Sequence, residues 1–141
     1  MGSRRKGRAV TIQILYQLEM HETAVDQALE IFWENHQYPE AVQEFADSLV
    51  RGVFEHKEKI DEIIMARAKN WAFSRITPID RNILRAAVYE LLFRSDIPYK
   101  VTLNEAIELG KTFGSEKSGS FINGILDNVI NTNADLKKKD S

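Results

Sequence analysis

The chain has 141 residues, 43% of them apolar, and a formal net charge of −2, which suits one compact domain of the usual ~100–150 residues. The absence of cysteine excludes disulfide frameworks, zinc–thiolate sites and thiol nucleophiles. No apolar run approaches the ~18 residues of a membrane span and the N-terminus lacks the apolar core of a signal peptide, so a cytoplasmic protein with no membrane partner is expected.

The small net charge conceals a segregation. Residues 1–18 carry Arg4, Arg5, Lys6 and Arg8 without an acid, whereas residues 19–50 carry Glu19, Glu22, Asp26, Glu30, Glu34, Glu40, Glu44 and Asp47 without a Lys or Arg. A basic end suits a polyanion; an acidic stretch suits a basic protein or is a solvated face.

From Ser3 to about Met20, Val10, Ile14, Leu15 and Leu18 form one apolar stripe at helical spacing. Ile12, Tyr16 and Met20 lie roughly opposite, with Arg5 and Arg8 continuing that side. A helix apolar on two faces is central to a core or offers one face to a partner. The cations favour the partner, because burying them is costly. Thr23 and Asp26 resemble a capping pair before Val25, Ala28, Leu29 and Phe32, in a helix ending near Asn35 and His36. Pro39 opens a third helix, carrying Val42, Phe45, Ala46, Leu49 and Val53 to about His56. Ile60, Ile63, Ile64 and Trp71 mark a fourth.

Thr77 as N-cap, Pro78 at the first helical position and Asp80 at the third open a fifth helix. Its residues Ile83, Leu84, Ala86, Ala87, Val88, Leu91 and Leu92 are apolar around much of the circumference, which predicts the central core helix. Thr102 and Glu105 read as a capping box opening a sixth, and Gly114 as its left-handed end. A seventh starts at Ser115 or Ser118 and buries Ile122, Ile125, Leu126 and Val129, leaving Phe121 on its flank. Beyond Ile130 periodicity stops, and a flexible tail over 131–141 is expected. No segment alternates as a strand would. The expectation is therefore one all-α domain of about seven helices over 1–141, in two packed helical subdomains of about 3–76 and 77–130.

Catalytic constellations are missing. His21, His36 and His56 lack metal-ligand spacing. Gly110, Lys111 and Thr112 imitate the end of a phosphate loop, but Glu105 stands where that loop requires glycine. No enzyme activity, cofactor or metal is expected. What remains is recognition chemistry. Arg4, Arg5, Lys6 and Arg8 suit phosphates, which supply affinity but no sequence reading. Single-stranded RNA is read by aromatic faces and polar side chains, and Lys117, Ser118, Ser120, Phe121 and Asn123 gather both at a helix start.

Three stretches, RRKGRAVTIQILYQLE, IDRNILRAAVYELLFRSDIPYKVTLNEAIELGKTFG and SGSFINGILD, resemble the NusB family of bacterial transcription antitermination factors over nearly the whole chain. The resemblance implies an all-helical protein that binds the boxA element of nascent RNA, usually ribosomal RNA leaders. It does so together with NusE, a small-subunit ribosomal protein. The pair joins NusA, NusG and RNA polymerase and prevents Rho-dependent termination. The resemblance also implies residue roles. Arg4, Arg5, Lys6 and Arg8 stand where the family's arginine-rich segment contacts RNA, Ser118 and Phe121 match its second RNA-facing patch, with Lys117 beside them, and Tyr16 and Asp80 match positions facing NusE, with Met20 adjacent. Two departures stand out: Gly7, Arg8 and Ala9 replace the Ala-Arg-Glu of many relatives, and Lys117 replaces an acid found in some. A similar domain also precedes some RNA cytosine methyltransferases, so an RNA-targeting module is the alternative. The chain's length and lack of a Gly-rich loop disfavour it. Whether the free protein is a monomer or a homodimer that hides the RNA segment stays open.

Overall fold

The computed structural model describes residues 2–68, 75–133 and 135–136. They form seven helices: α1 (Ser3–His21), α2 (Val25–Asn35), α3 (Glu40–Glu55), α4 (Lys57–Ala68), α5 (Pro78–Phe93), α6 (Tyr99–Phe113) and α7 (Ser118–Asn131). There is no strand among the described residues, and the all-α expectation is met. Trp71 lies outside the described residues.

Helix α5 is the axis of the molecule, packing on α1, α3, α4, α6 and α7. Its start is as expected: the Asp80 N–H donates to Thr77 Oγ1 at 3.3 Å, and Pro78 occupies the first turn. Ile83, Leu84, Val88 and Leu91 are buried in a core that also takes Ile14 and Leu18 of α1, Leu29 and Phe32 of α2, Ile60 and Ile64 of α4, and Ile122 and Leu126 of α7. One apolar core thus runs through both halves of the chain.

Two ion-pair groups hold α1 antiparallel to α5. At one end Arg8 donates to both oxygens of Glu90, Nε to Oε2 at 2.8 Å and Nη2 to Oε1 at 2.9 Å, and Thr102 Oγ1 of α6 donates to Oε1 at 2.8 Å. At the other, Glu19 accepts from Arg81 and Arg85, and Arg85 also forks onto Asp61 of α4. The pairing order, Arg8 with Glu90 and Glu19 with Arg81 and Arg85, is that of two helices running in opposite directions.

Several expectations are corrected. Arg8 is only 5% exposed: a bidentate carboxylate offsets the cost that would otherwise keep a cation in water. Ile12 is buried too, so on the second face of α1 Arg5, Tyr16 and Met20 are exposed while Arg8 and Ile12 between them are not. Gly7 is a contact residue rather than merely a weak helix former, since a Cβ there would lie 2.7 Å from Phe45 Cδ2; glycine lets α1 approach α3. Thr23 does not cap α2: its hydroxyl donates to the His21 carbonyl, and Ala24 is the N-cap. Thr102 and Glu105 form no capping box, because α6 begins one turn earlier after Pro98 and both side chains make tertiary contacts instead. Gly114 is extended (φ −97°, ψ −161°) rather than left-handed, and its requirement is steric, a Cβ there overlapping Ser118. The tail expected to be free from residue 131 returns at Leu136, which is buried against the core.

Removing one member of a buried ion pair strands the other, at a cost of about 3–5 kcal/mol, whereas replacing both with apolar groups is often close to neutral. Arg8→Ala should therefore lower stability by about that amount in urea unfolding, and Arg8→Met combined with Glu90→Leu should recover most of the loss.

Candidate nucleic-acid interface

The basic segment is helical from Ser3 onward, and carboxylates far along the chain hold it in place. Arg4 Nη2 donates to Asp96 Oδ2 at 2.8 Å, and Asp96 also accepts two bonds from Arg94. Arg5 donates to both oxygens of Glu105 at 3.0 and 2.7 Å. The Arg4 and Arg5 side chains remain about half exposed, at 49% and 53%, so each guanidinium keeps surface for a ligand. Lys6 has no ion-pair partner among the described residues, its Nζ lying 5.7 Å from the Tyr38 ring centroid. Arg8 is turned inward.

These bonds shift the groups that make them. The hydrogen bonds from Arg94 hold the Asp96 carboxyl far below the usual carboxylate range, against the opposing effect of its burial. Hydrogen bonding from Arg5 lowers Glu105 in the same way, and Glu105 in turn raises Arg5.

Three grooves mark the surface, two of them along this segment. The first, about 520 Å³, is lined by Arg5, Lys6, Ala9, Glu105, Glu108, Leu109 and Phe113. The second, about 510 Å³, shares Lys6, Ala9 and Phe113 and continues to Gln13, Tyr16 and Ile79. The third, about 540 Å³, lies at the start of α5, where Arg75, Thr77 and Asp80 face Lys117, Ser120 and Phe121 of the α7 start. The third groove shares no lining residue with the second; Ile79 of one and Asp80 of the other are neighbours in the first turn of α5. Tyr16 and Met20 are 37% and 45% exposed.

The expected residues therefore separate into two kinds. Arg5, Lys6, Tyr16, Asp80, Lys117 and Phe121 line the three grooves, and Arg4 stands at the rim of the basic segment. Arg8 and Ser118 do not reach the surface. Ser118 is 1% exposed, and its Oγ accepts the Ser115 N–H at 2.9 Å, fixing the turn between α6 and α7. Asp80 is 7% exposed, and its Oδ1 has no donor among the described residues. A groove with an aromatic wall, nearby cations and an unsatisfied acceptor suits stacking bases, phosphates and a donor from a partner.

Phe113, 50% exposed, escaped the sequence reading because it is in phase with buried Ala106, seven residues earlier. Glu105 has the spacing of a cap residue, and Asp96 carries no local pattern. Only the pairing of distant residues identifies them as partners of the basic segment. Among the described residues no group of His, Asp or Glu is arranged to hold a metal ion, and no helix is long and apolar enough to cross a membrane.

Comparison with known proteins gives a consistent result. The family model described as the NusB family matches residues 5–131. A transcription antitermination protein NusB from Myxococcus xanthus is 48% identical over 92% of this chain and 95% of its own length. One from Trichlorobacter lovleyi is 45% identical over 100% and 99%. Among solved structures, T. maritima NusB superposes with a TM-score of 0.85 at 38% identity, covering 96% of this chain and 95% of that one. A chain from the crystal structure of antitermination factors NusB and NusE in complex with dsRNA gives 0.82 at 27% identity, covering 94% and 99%.

The depressed carboxylates give a pH dependence of definite sign. A group whose folded pKa is lowered stabilises the fold above its ordinary value of about 4 and loses that contribution as pH falls through the folded value. Acidification should therefore loosen the start of α1 first, read as lower amide protection at residues Lys6 to Arg8 relative to the intrinsic exchange rate at each pH. Asp96→Asn with Glu105→Gln should show that lowered protection already at neutral pH and remove most of its pH dependence.

Proposed function

The chain belongs to the NusB family, and from that premise we propose that it is a transcription antitermination factor that binds boxA RNA of nascent transcripts jointly with NusE. In this reading it has no catalytic step of its own. The RNA-bound pair joins NusA, NusG and RNA polymerase and keeps the polymerase from stopping at Rho-dependent terminators. The observation that carries the proposal is that Arg5, Lys6 and Tyr16 line two adjoining grooves on α1, while Lys117 and Phe121 line a third at the α5 and α7 starts.

The roles follow from exposure and chemistry. Arg4, Arg5 and Lys6 bind phosphates; Arg8 is a positioning residue, anchoring their helix through Glu90. Phe121 supplies a face for a base, and Lys117, exposed beside it, a charge for the backbone. Ser118 acts through the turn it fixes, and Ser120 offers the accessible hydroxyl in the same groove. Tyr16 and Met20 form the NusE-facing surface. Asp80, at the start of α5, caps the groove where the partner surface meets the RNA surface. RNA phosphates displace Asp96 and Glu105 from Arg4 and Arg5.

The direct test is affinity for a boxA-like RNA and for a scrambled RNA across salt, with and without NusE. Selective binding that NusE strengthens is expected, and equal affinity for both RNAs with NusE present would refute specific recognition. Phe121→Ala should weaken the boxA complex by roughly 1–3 kcal/mol if a base stacks there. Asp96→Asn should tighten RNA binding, because a competing carboxylate is removed. Exposed pairs are worth about 0–1 kcal/mol, so the gain should be about two- to fivefold.

A further inference from the structure

On the side of α1 away from the grooves, α3, α4 and α5 meet in an aromatic surface that the reading above does not use. His56 stacks on Phe93 with ring centroids 4.0 Å apart and planes 16° from parallel, and Tyr89 lies 5.4 Å from Phe93 at 26°. Phe93 is 36% exposed and nearby Phe54 is 40% exposed. Lys59 Nζ stands 5.7 Å from the Phe93 centroid, and Lys57 Nζ the same distance from Phe54. Neither lysine has an ion-pair partner among the described residues, although Glu55 and Glu58 occupy adjacent positions.

The surface exists because Gly52 lets Tyr89 lie against the α3 backbone, where a Cβ would overlap the ring. Tyr89 fills the crossing, and Phe93, one turn farther along α5, stays partly in solvent. The surface is also continuous with the basic segment. Arg94, next to Phe93, donates to Ser48 Oγ at 3.2 Å and forks onto Asp96, the same carboxylate that takes Arg4. Ser48, Gly52 and His56 recur every four residues of α3, so they follow one face for roughly 12 Å at 1.5 Å per residue.

Building on the RNA-binding reading above, we propose that single-stranded RNA leaving the site at Arg4 continues over Arg94 and Ser48 to the His56–Phe93 face, where bases stack and Lys59 binds a phosphate. Aromatic faces flanked by unpaired cations are what sequence-tolerant single-strand binding requires. The face therefore holds RNA flanking the recognised element irrespective of its sequence, and lengthens the residence of the protein on the transcript.

The test compares, in the presence of NusE, a short boxA-like RNA with the same RNA extended by about four uridines at one end or the other, near the smallest single-strand site size. Extension at one end should tighten binding to the wild-type protein about tenfold. Phe93→Ala should abolish that gain and leave the short RNA unaffected. Lys59→Gln should flatten the salt dependence of the gain by about one phosphate's worth. Equal affinity for short and extended RNAs overturns the proposal, as does a gain that survives Phe93→Ala. Loss of NusE binding by Phe93→Ala without RNA also overturns it and assigns the face to protein. If the short RNA itself fails to bind, the RNA-binding reading falls as well, and that failure is visible before any extension is compared.

Discussion

The structure depends most on one buried contact, the fork of Arg8 onto Glu90. Arg8 and Glu90 expose only 6% and 2% of their side chains, a burial that no isolated charge would tolerate. It is tolerated because both oxygens of Glu90 accept from Arg8 and one also accepts from Thr102. These bonds join α1, α5 and α6 at a single carboxylate. Phe45 of α3 adds the fourth element: the guanidinium carbons of Arg4, Arg8 and Arg94 each lie 5.3 Å from its ring centroid. The start of α1, which carries the exposed Arg4, Arg5 and Lys6, is thereby fixed to the rest of the molecule.

Buried ion pairs contribute little net stability against well-packed apolar replacements, so their value here lies in alignment. An α1 stripe of Val10, Ile14, Leu15 and Leu18 would pack against α5 in either direction, since aliphatic contacts are not directional. Arg8 against Glu90 at one end, and Glu19 against Arg81 and Arg85 at the other, match only one orientation and one register. The same register places Tyr16 beside Ile79, and with it brings the α1 surface up to the groove at the start of α5.

Much of this was legible in the sequence because helix periodicity is a local property. Apolar spacing located six of the seven helices among the described residues and cap signals the other, α6, and the Thr77–Pro78 start of α5 was read correctly because its chemistry lies within four residues. Failures came where one local motif had two uses. Thr102 and Glu105 have capping-box spacing, yet a start at Pro98 moves them into the helix body, where they serve Glu90 and Arg5. Nor could sequence distinguish Arg8 from Arg4 and Arg5. All are arginines in one short run, and their different fates depend on carboxylates 82 to 100 residues away. Phe121 was identifiable from its flank position and Phe113 was not, because only the former breaks phase with the buried stripe of its helix.

Those long separations also have a temporal meaning. A chain is made from its N-terminus at about 5–20 residues per second. Arg4, Arg5 and Arg8 are therefore complete roughly 5 to 20 s before Glu90, Asp96 and Glu105 exist to hold them. Throughout that interval the arginines lack the three carboxylates that later fix their positions. The three carboxylates thus do more than order the finished surface: their synthesis sets the moment at which the segment can first take its folded geometry.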